Sequence, residues 1–227
     1  MRPALLAVAA SAAALLFWLF PEIDLWTTRL FWRPGDGFFL RDYWAFRLVH
    51  EGTPYLTAAI AIGILAFAFR PRRSRRGRRV ALFLALSLVL GPGLVVNTVL
   101  KDNWGRARPS QVTEFGGTKR FTPAPLVSDQ CIKNCSFVAG DPAVAFWFLS
   151  LAFLLPPPGR YAAAAGAVAL GAFFGLARIA QGGHFLSDVV FSGVAVAATA
   201  WLLHWLIVEK GPRALALRTP GRNRGSP

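Results

Sequence analysis

Arg178, His184 and Asp188 follow one another at intervals of six and four in the stretch ARIAQGGHFLSD. A His and an Asp four apart at a helix start share one face. The carboxylate can then hold one imidazole nitrogen and present the other as a nucleophile or base. A second polar stretch, KDNWGRARP, carries Lys101, Arg106, Arg108 and Pro109. Arg grips a phosphate with a planar fork and Lys with a point charge, so Lys101, Arg108 and Arg178 suit a phosphate anion. A third stretch, SFVAGDPA from Ser136 to Ala143, precedes an apolar block. The amides of Gly140 and Asp141, at the start of the helix expected there, would add anion-binding donors. Taken singly, a cation at a span end is an interfacial anchor, a His–Asp pair is a helix cap, and Gly182-Gly183 is a tight turn. The argument rests on their conjunction. His50 and His204 read as structural or solvated groups. Asp102, Glu114, Asp129, Asp141 and Asp188 are scattered and form no obvious two-metal carboxylate cluster, so no metal or other cofactor is expected.

The elements that must gather these residues are membrane helices. Of 227 residues 55% are hydrophobic, more than usual for a soluble domain, and the excess falls in blocks. Hydropathy predicts an all-α, six-span transmembrane bundle with spans at roughly 3–20, 53–69, 80–100, 143–158, 161–178 and 186–207. Pro156, Pro157 and Pro158 end the fourth early, and Gly91 and Pro92 kink the third. One transmembrane domain, 1–209, is expected, with a disordered basic tail over 210–227. Arg2, the run Arg70–Arg79, Arg160 and the tail all fall on one side of that bundle. The excess of basic residues beside spans places both termini in the cytoplasm. The polar stretches then share the opposite face, in loops 21–52, 101–142 and 179–185, with Trp18, Trp26, Trp44 and Trp104 near span ends. Residues 1–20 read as an uncleaved anchor, because Phe17, Trp18 and Phe20 leave no small-residue cleavage site. The net charge of +14 lies beside spans with no nucleic-acid-binding module, which excludes a nucleic acid partner.

These residues resemble the type 2 phosphatidic acid phosphatase family, which shares its site with vanadium haloperoxidases. Lys101, six residues and Arg108-Pro109 match the family's first motif. Arg178, five residues, His184, three residues and Asp188 match its third, with Ala177 where the family has Ser. The second motif, Pro-Ser-Gly-His in the family, is Val138-Ala139-Gly140-Asp141 here. The resemblance runs from about residue 80 to 207. It implies that His184 attacks phosphorus to form a phosphohistidine, that Asp188 orients it, and that Lys101, Arg108, Arg178 and Gly140 bind the phosphate. A serine that helps bind phosphate is missing at Ala139. Asp141 replaces the His that protonates the leaving group, and it is expected to take over that proton with a pKa raised by burial. The resemblance also implies that no metal is needed.

The substrate expected is a phosphorylated membrane lipid that diffuses in laterally. Lipid A leads, because Ser-Phe-Val-x-Gly-acidic and GRARP look most like the lipid A phosphatase branch; the setting would be a bacterial inner membrane with a periplasmic site. Undecaprenyl pyrophosphate, phosphatidylglycerol phosphate and phosphatidic acid are the other candidates by family. The rival readings are a lipid phosphotransferase and a catalytically impaired phospholipid-binding or transport protein. Cys131 and Cys135 lie in the longest outer loop, where a disulfide is plausible. That loop is expected to cover the site and select the head group.

Overall fold

A computed structural model describes residues 3–72 and 74–210. Arg2 and the predicted tail beyond Lys210 lie outside the described residues. The chain is mostly helical: α1 (Pro3–Leu19), α2 (Glu22–Arg29), α3 (Trp44–Ala68), α4 (Arg75–Asn103), α5 (Gly140–Ala152), α6 (Gly159–Ala180) and α7 (Leu186–Glu209). A small antiparallel hairpin departs from the all-α expectation, pairing β1 (Trp32–Arg33) with β2 (Gly37–Phe38). The Pro34-Gly35-Asp36 turn between its strands has the residue types that reverse a chain tightly.

Helices α3, α4, α6 and α7 are long and apolar enough to cross a membrane, and α1 with α2 makes up to a fifth span. By length and composition alone, four or five of the six expected spans are recovered. Two local causes account for the difference. Pro21 breaks the first apolar helix, and α2, carrying Glu22, Asp24 and Arg29, leaves it at an angle of 81°. The expected fourth span is only the 13-residue α5. At about 1.5 Å per residue it covers roughly 20 Å, short of the ~30 Å hydrocarbon core, and Pro156–Pro158 prevent its extension. By contrast α3 starts nine residues before its predicted boundary, at Trp44 instead of 53.

The core lies between α4, α5, α6 and α7, where Phe83, Leu88, Val96, Phe146, Trp147 and Val189 are buried together. Small residues let α6 come close to its neighbours, as packing between membrane helices requires. A Cβ on Gly175 would stand 2.4 Å from Val189 Cγ1. Pro92 does not sharply break α4. Instead the turns widen into a π-helix from Val89 to Leu100, and the Lys101 N–H reaches back to the Val96 carbonyl. Asn97 Nδ2 donates to the Pro92 carbonyl at 2.8 Å, which satisfies an acceptor exposed by the irregular helix.

Between α4 and α5 the long loop is packed on an apolar cluster of its own. Phe38, Ala107, Val112, Phe115 and Phe185 are buried there, and Trp104 stacks on Phe137. Its Cys131 and Cys135 are joined in a disulfide.

Candidate active site

The last residues of α4, the start of α5, the end of α6 and the start of α7 meet at one end of the bundle. Each contributes a polar side chain that the sequence singled out. Lys101 lies at the N-terminus of α5: a Cβ placed on Gly140 would stand 3.3 Å from its Nζ and 2.5 Å from Asn97 Oδ1. Only glycine leaves room for both. Arg178 is buried at the end of α6, with Nη1 donating to Gln181 Oε1 at 2.7 Å. Its Nε stands 3.0 Å from Asp141 Oδ2, yet makes no hydrogen bond of good geometry. Gly183 packs against that guanidinium so closely that a Cβ would meet Nη2 at 2.7 Å. Arg108 is half-buried, and its Nη2 donates to the Asn134 carbonyl and to Asn134 Oδ1.

His184 is buried in the turn between α6 and α7. Its Nδ1 lies 2.7 Å from the Ser136 carbonyl oxygen. A carbonyl can only accept, so Nδ1 carries the proton and Nε2 keeps its lone pair. Burial pushes the His184 pKa down; Asp188 opposes this, Lys101 and Arg178 add to it, and the result is about 4. The ring is therefore neutral at physiological pH, as a nitrogen nucleophile must be.

Asp188 acts on this ring differently from the expectation. Its Oδ2 stands 3.7 Å from His184 Nδ1, too far to be that nitrogen's hydrogen-bond partner. It accepts instead from Ser136 Oγ at 2.6 Å and from the Phe185 N–H at 2.8 Å. The carboxylate thus fixes the two backbone segments on either side of the imidazole.

A buried ion network, unforeseen in the sequence, holds Asp188 in turn. Arg106 Nη1 donates to Asp188 Oδ1 at 2.6 Å and to Ser187 Oγ at 2.8 Å. Its Nη2 donates to Asp24 Oδ2 at 2.8 Å and its Nε to the Thr122 carbonyl at 2.8 Å. Asp24, from α2, also accepts from the backbone N–H and the hydroxyl of Ser187. Arg106, Asp24 and Asp188 are all fully buried. Removing one partner of such a group leaves unpaired charge in a low-dielectric setting. Arg106→Gln should therefore lower stability by about 3–5 kcal/mol. Thermal unfolding in detergent checks this, and a loss below about 1 kcal/mol would contradict it.

Asp141 and His50 form the outer part of the site. Asp141 Oδ2 is 2.8 Å from His50 Nδ1, and His50 lies on α3 instead of in the expected outer loop. The raised pKa that a proton-donating Asp141 needs is not what its surroundings give. Burial raises it, but the His50 hydrogen bond and the Arg178 charge outweigh burial and hold the carboxyl below the usual carboxylate range. His50, Arg41, Arg47, Arg108 and Arg178 line a cavity of ≈ 250 Å³ beside this group. His204 sits at the opposite end of α7, between the rings of Phe83 and Phe153. Among the described residues no group of His, Cys, Asp and Glu could hold a metal ion.

Ala139 is the N-cap of α5 and offers no side-chain cap. Ala139→Ser should restore a hydroxyl there and improve phosphate binding by about 1–3 kcal/mol, roughly 5- to 150-fold in the inhibition constant of inorganic phosphate. An unchanged constant would mean that another donor already fills the position.

Helices fit to span a membrane, closing at one end around cations and a neutral imidazole, define a membrane phosphoryl hydrolase. Residues 80–212 match the PAP2 superfamily. The lipid A 4'-phosphatase of Francisella tularensis subsp. novicida (strain U112) is 37% identical over 204 residues, covering 87% of this chain and 92% of that protein. The lipid A 4'-phosphatase of Rhizobium leguminosarum is 35% identical over 205 residues, covering 78% and 88%. That of Rhizobium etli (strain ATCC 51251 / DSM 11541 / JCM 21823 / NBRC 15573 / CFN 42) is 32% identical over 207 residues, covering 78% and 80%. No solved structure matches the chain. The chain belongs to the PAP2 superfamily, in the branch of these lipid A phosphatases. It is a membrane-embedded phosphoric monoester hydrolase acting on lipid phosphate.

Proposed function

We propose that this enzyme removes the 4'-phosphate of lipid A at the periplasmic face of a bacterial inner membrane, through a phosphohistidine at His184. One observation carries the mechanism: Nδ1 of His184 is tied to the Ser136 carbonyl, leaving Nε2 as a lone-pair nitrogen in a cationic site. Lys101, Arg108 and Arg178 would hold the nonbridging oxygens, joined by the Gly140 amide, and neutralise the charge that spreads over them in the transition state. Asp188 would keep His184 in place through Ser136 and Phe185.

The substrate follows from the relatives, all three of which are named for the lipid A 4'-phosphate. The sidedness follows from α4. The basic run begins this helix and Lys101 lies near its other end, about 40 Å away at 1.5 Å per residue. A cytoplasmic basic run puts the site at the far face. One transmembrane domain over 1–209 and cytoplasmic termini complete the reading.

Phosphate release by the purified protein in detergent, from lipid A, undecaprenyl pyrophosphate, phosphatidylglycerol phosphate and phosphatidic acid, tests the assignment. Lipid A should lead with loss of its 4'-phosphate. Preference for another of the four would replace the substrate and leave the mechanism standing. Label moving to an acceptor lipid instead of free phosphate would make the protein a phosphotransferase.

A further inference from the structure

The family's leaving-group His is absent, and Asp141, which stands in its place, is held as an anion. The proton must then come from elsewhere. An imidazole from outside the matched region, His50 on α3, occupies the position beside it. We propose that His50 is the proton donor to the leaving oxygen, with Asp141 as the carboxylate that positions it. This rests on the phosphohistidine reading given above.

The geometry favours His50 on three counts. Asp141 bridges two groups, with Oδ2 at 2.8 Å from His50 Nδ1 and at 3.0 Å from Arg178 Nε, so His50 is tied to a phosphate-holding cation through one carboxylate. With Nδ1 engaged by Asp141, Nε2 is the nitrogen available to a substrate. Second, His50 lines the same cavity as Arg108 and Arg178. Third, the two imidazoles differ in depth. His184 is 1% exposed, whereas the His50 side chain is 54% exposed. A nucleophile attacking from the buried side expels its leaving group toward the open side, where the lipid head group must lie.

The steps balance as follows. The lone pair of His184 Nε2 attacks phosphorus, and the bond from phosphorus to the lipid oxygen breaks. That oxygen takes the proton from protonated His50 Nε2 and leaves as an alcohol. Water then attacks the phosphohistidine and releases its proton to solvent, from which the now neutral His50 is reprotonated. The phosphorus–nitrogen bond breaks, its electron pair returns to His184 Nε2, and inorganic phosphate departs with His50 protonated again.

A general acid matters only where the leaving group is a poor one. The test compares a lipid phosphate, whose alkoxide needs a proton, with 4-nitrophenyl phosphate, whose phenolate does not. His50→Gln in the full chain should slow the lipid reaction by about 10²- to 10⁴-fold. It should change 4-nitrophenyl phosphate turnover by less than about threefold, while Asp141→Asn slows the lipid reaction to a smaller extent in the same selective way. Equal loss on both substrates, or loss on neither, overturns the assignment. His184→Gln, measured alongside, separates the two claims. It should lose both activities, and its survival on both would sink the phosphohistidine reading whatever His50 does. Because His50 is on the exposed side of α3, its replacement removes no buried contact. Elution of His50→Gln at the wild-type size is expected, and an aggregated sample would contradict that surface role.

Discussion

His184→Gln should reduce lipid phosphate hydrolysis by at least about 10³-fold while the protein still folds and inserts. In the proposed mechanism the imidazole is the nitrogen nucleophile, and a carboxamide cannot form the phosphorus–nitrogen bond. Glutamine can nonetheless keep a hydrogen bond toward the Ser136 carbonyl, which His184 Nδ1 makes in the wild-type protein. The loss should therefore appear in turnover, not in thermal stability. The wild-type pH profile carries a second sign of the same arrangement. A free His would lose its lone pair below about 6.5. Burial first, then Lys101 and Arg178, move that point to about 4 in the free enzyme. As pH falls, the acid limb of kcat/KM that belongs to His184 should set in on approach to 4 and not near 6.5. Residual turnover within tenfold of wild type would remove His184 from the chemistry.

Arg178→Lys should cost about 10²- to 10³-fold in kcat, more than it raises KM. The guanidinium is held on one side by Gln181 and on another by Asp141, with Gly183 packed against it. Its Nε is buried without a hydrogen bond of good geometry, a state that an incoming phosphate oxygen would relieve. Lysine keeps the charge and loses the fork, so it separates simple attraction from the planar fit to the transition state. Steady-state kinetics on the lipid substrate reads the split. An equal rise in KM with kcat unchanged would mean that Arg178 serves ground-state binding alone.

Much of this site was legible because its parts lie in short continuous segments. Lys101 and Arg108 flank one helix end, and Arg178, His184 and Asp188 straddle one turn, so their spacing survives in the sequence. What the spacing hid was the identity of the partners. The atom that fixes the His184 tautomer is a backbone carbonyl 48 residues away, and a carbonyl leaves no mark in a sequence. Arg106 looked like a loop cation, because its carboxylate partners each lie 82 residues distant. The place of His50 on a helix was hidden for a related reason. Hydropathy placed the span boundary at 53, after the polar residues Arg47, His50 and Glu51, but the helix runs back to Trp44 and carries His50 to Asp141. Average hydropathy reports where a helix can contact lipid, and not where it ends. The short α5 shows the same limit: the window over 143–158 is apolar enough, but its prolines end the helix early.

The central claim is that phosphate passes through His184, and rapid-quench labelling tests it most directly. Lipid substrate carrying radioactive phosphate is mixed with excess enzyme, quenched in alkali within milliseconds, and the protein is digested and mapped. An acid-labile, alkali-stable label should appear on the peptide containing His184 and decay as free phosphate rises. It should be absent from His184→Gln. Free phosphate rising at full rate with no label on the protein at any time, in wild type and in the variant alike, would contradict the account.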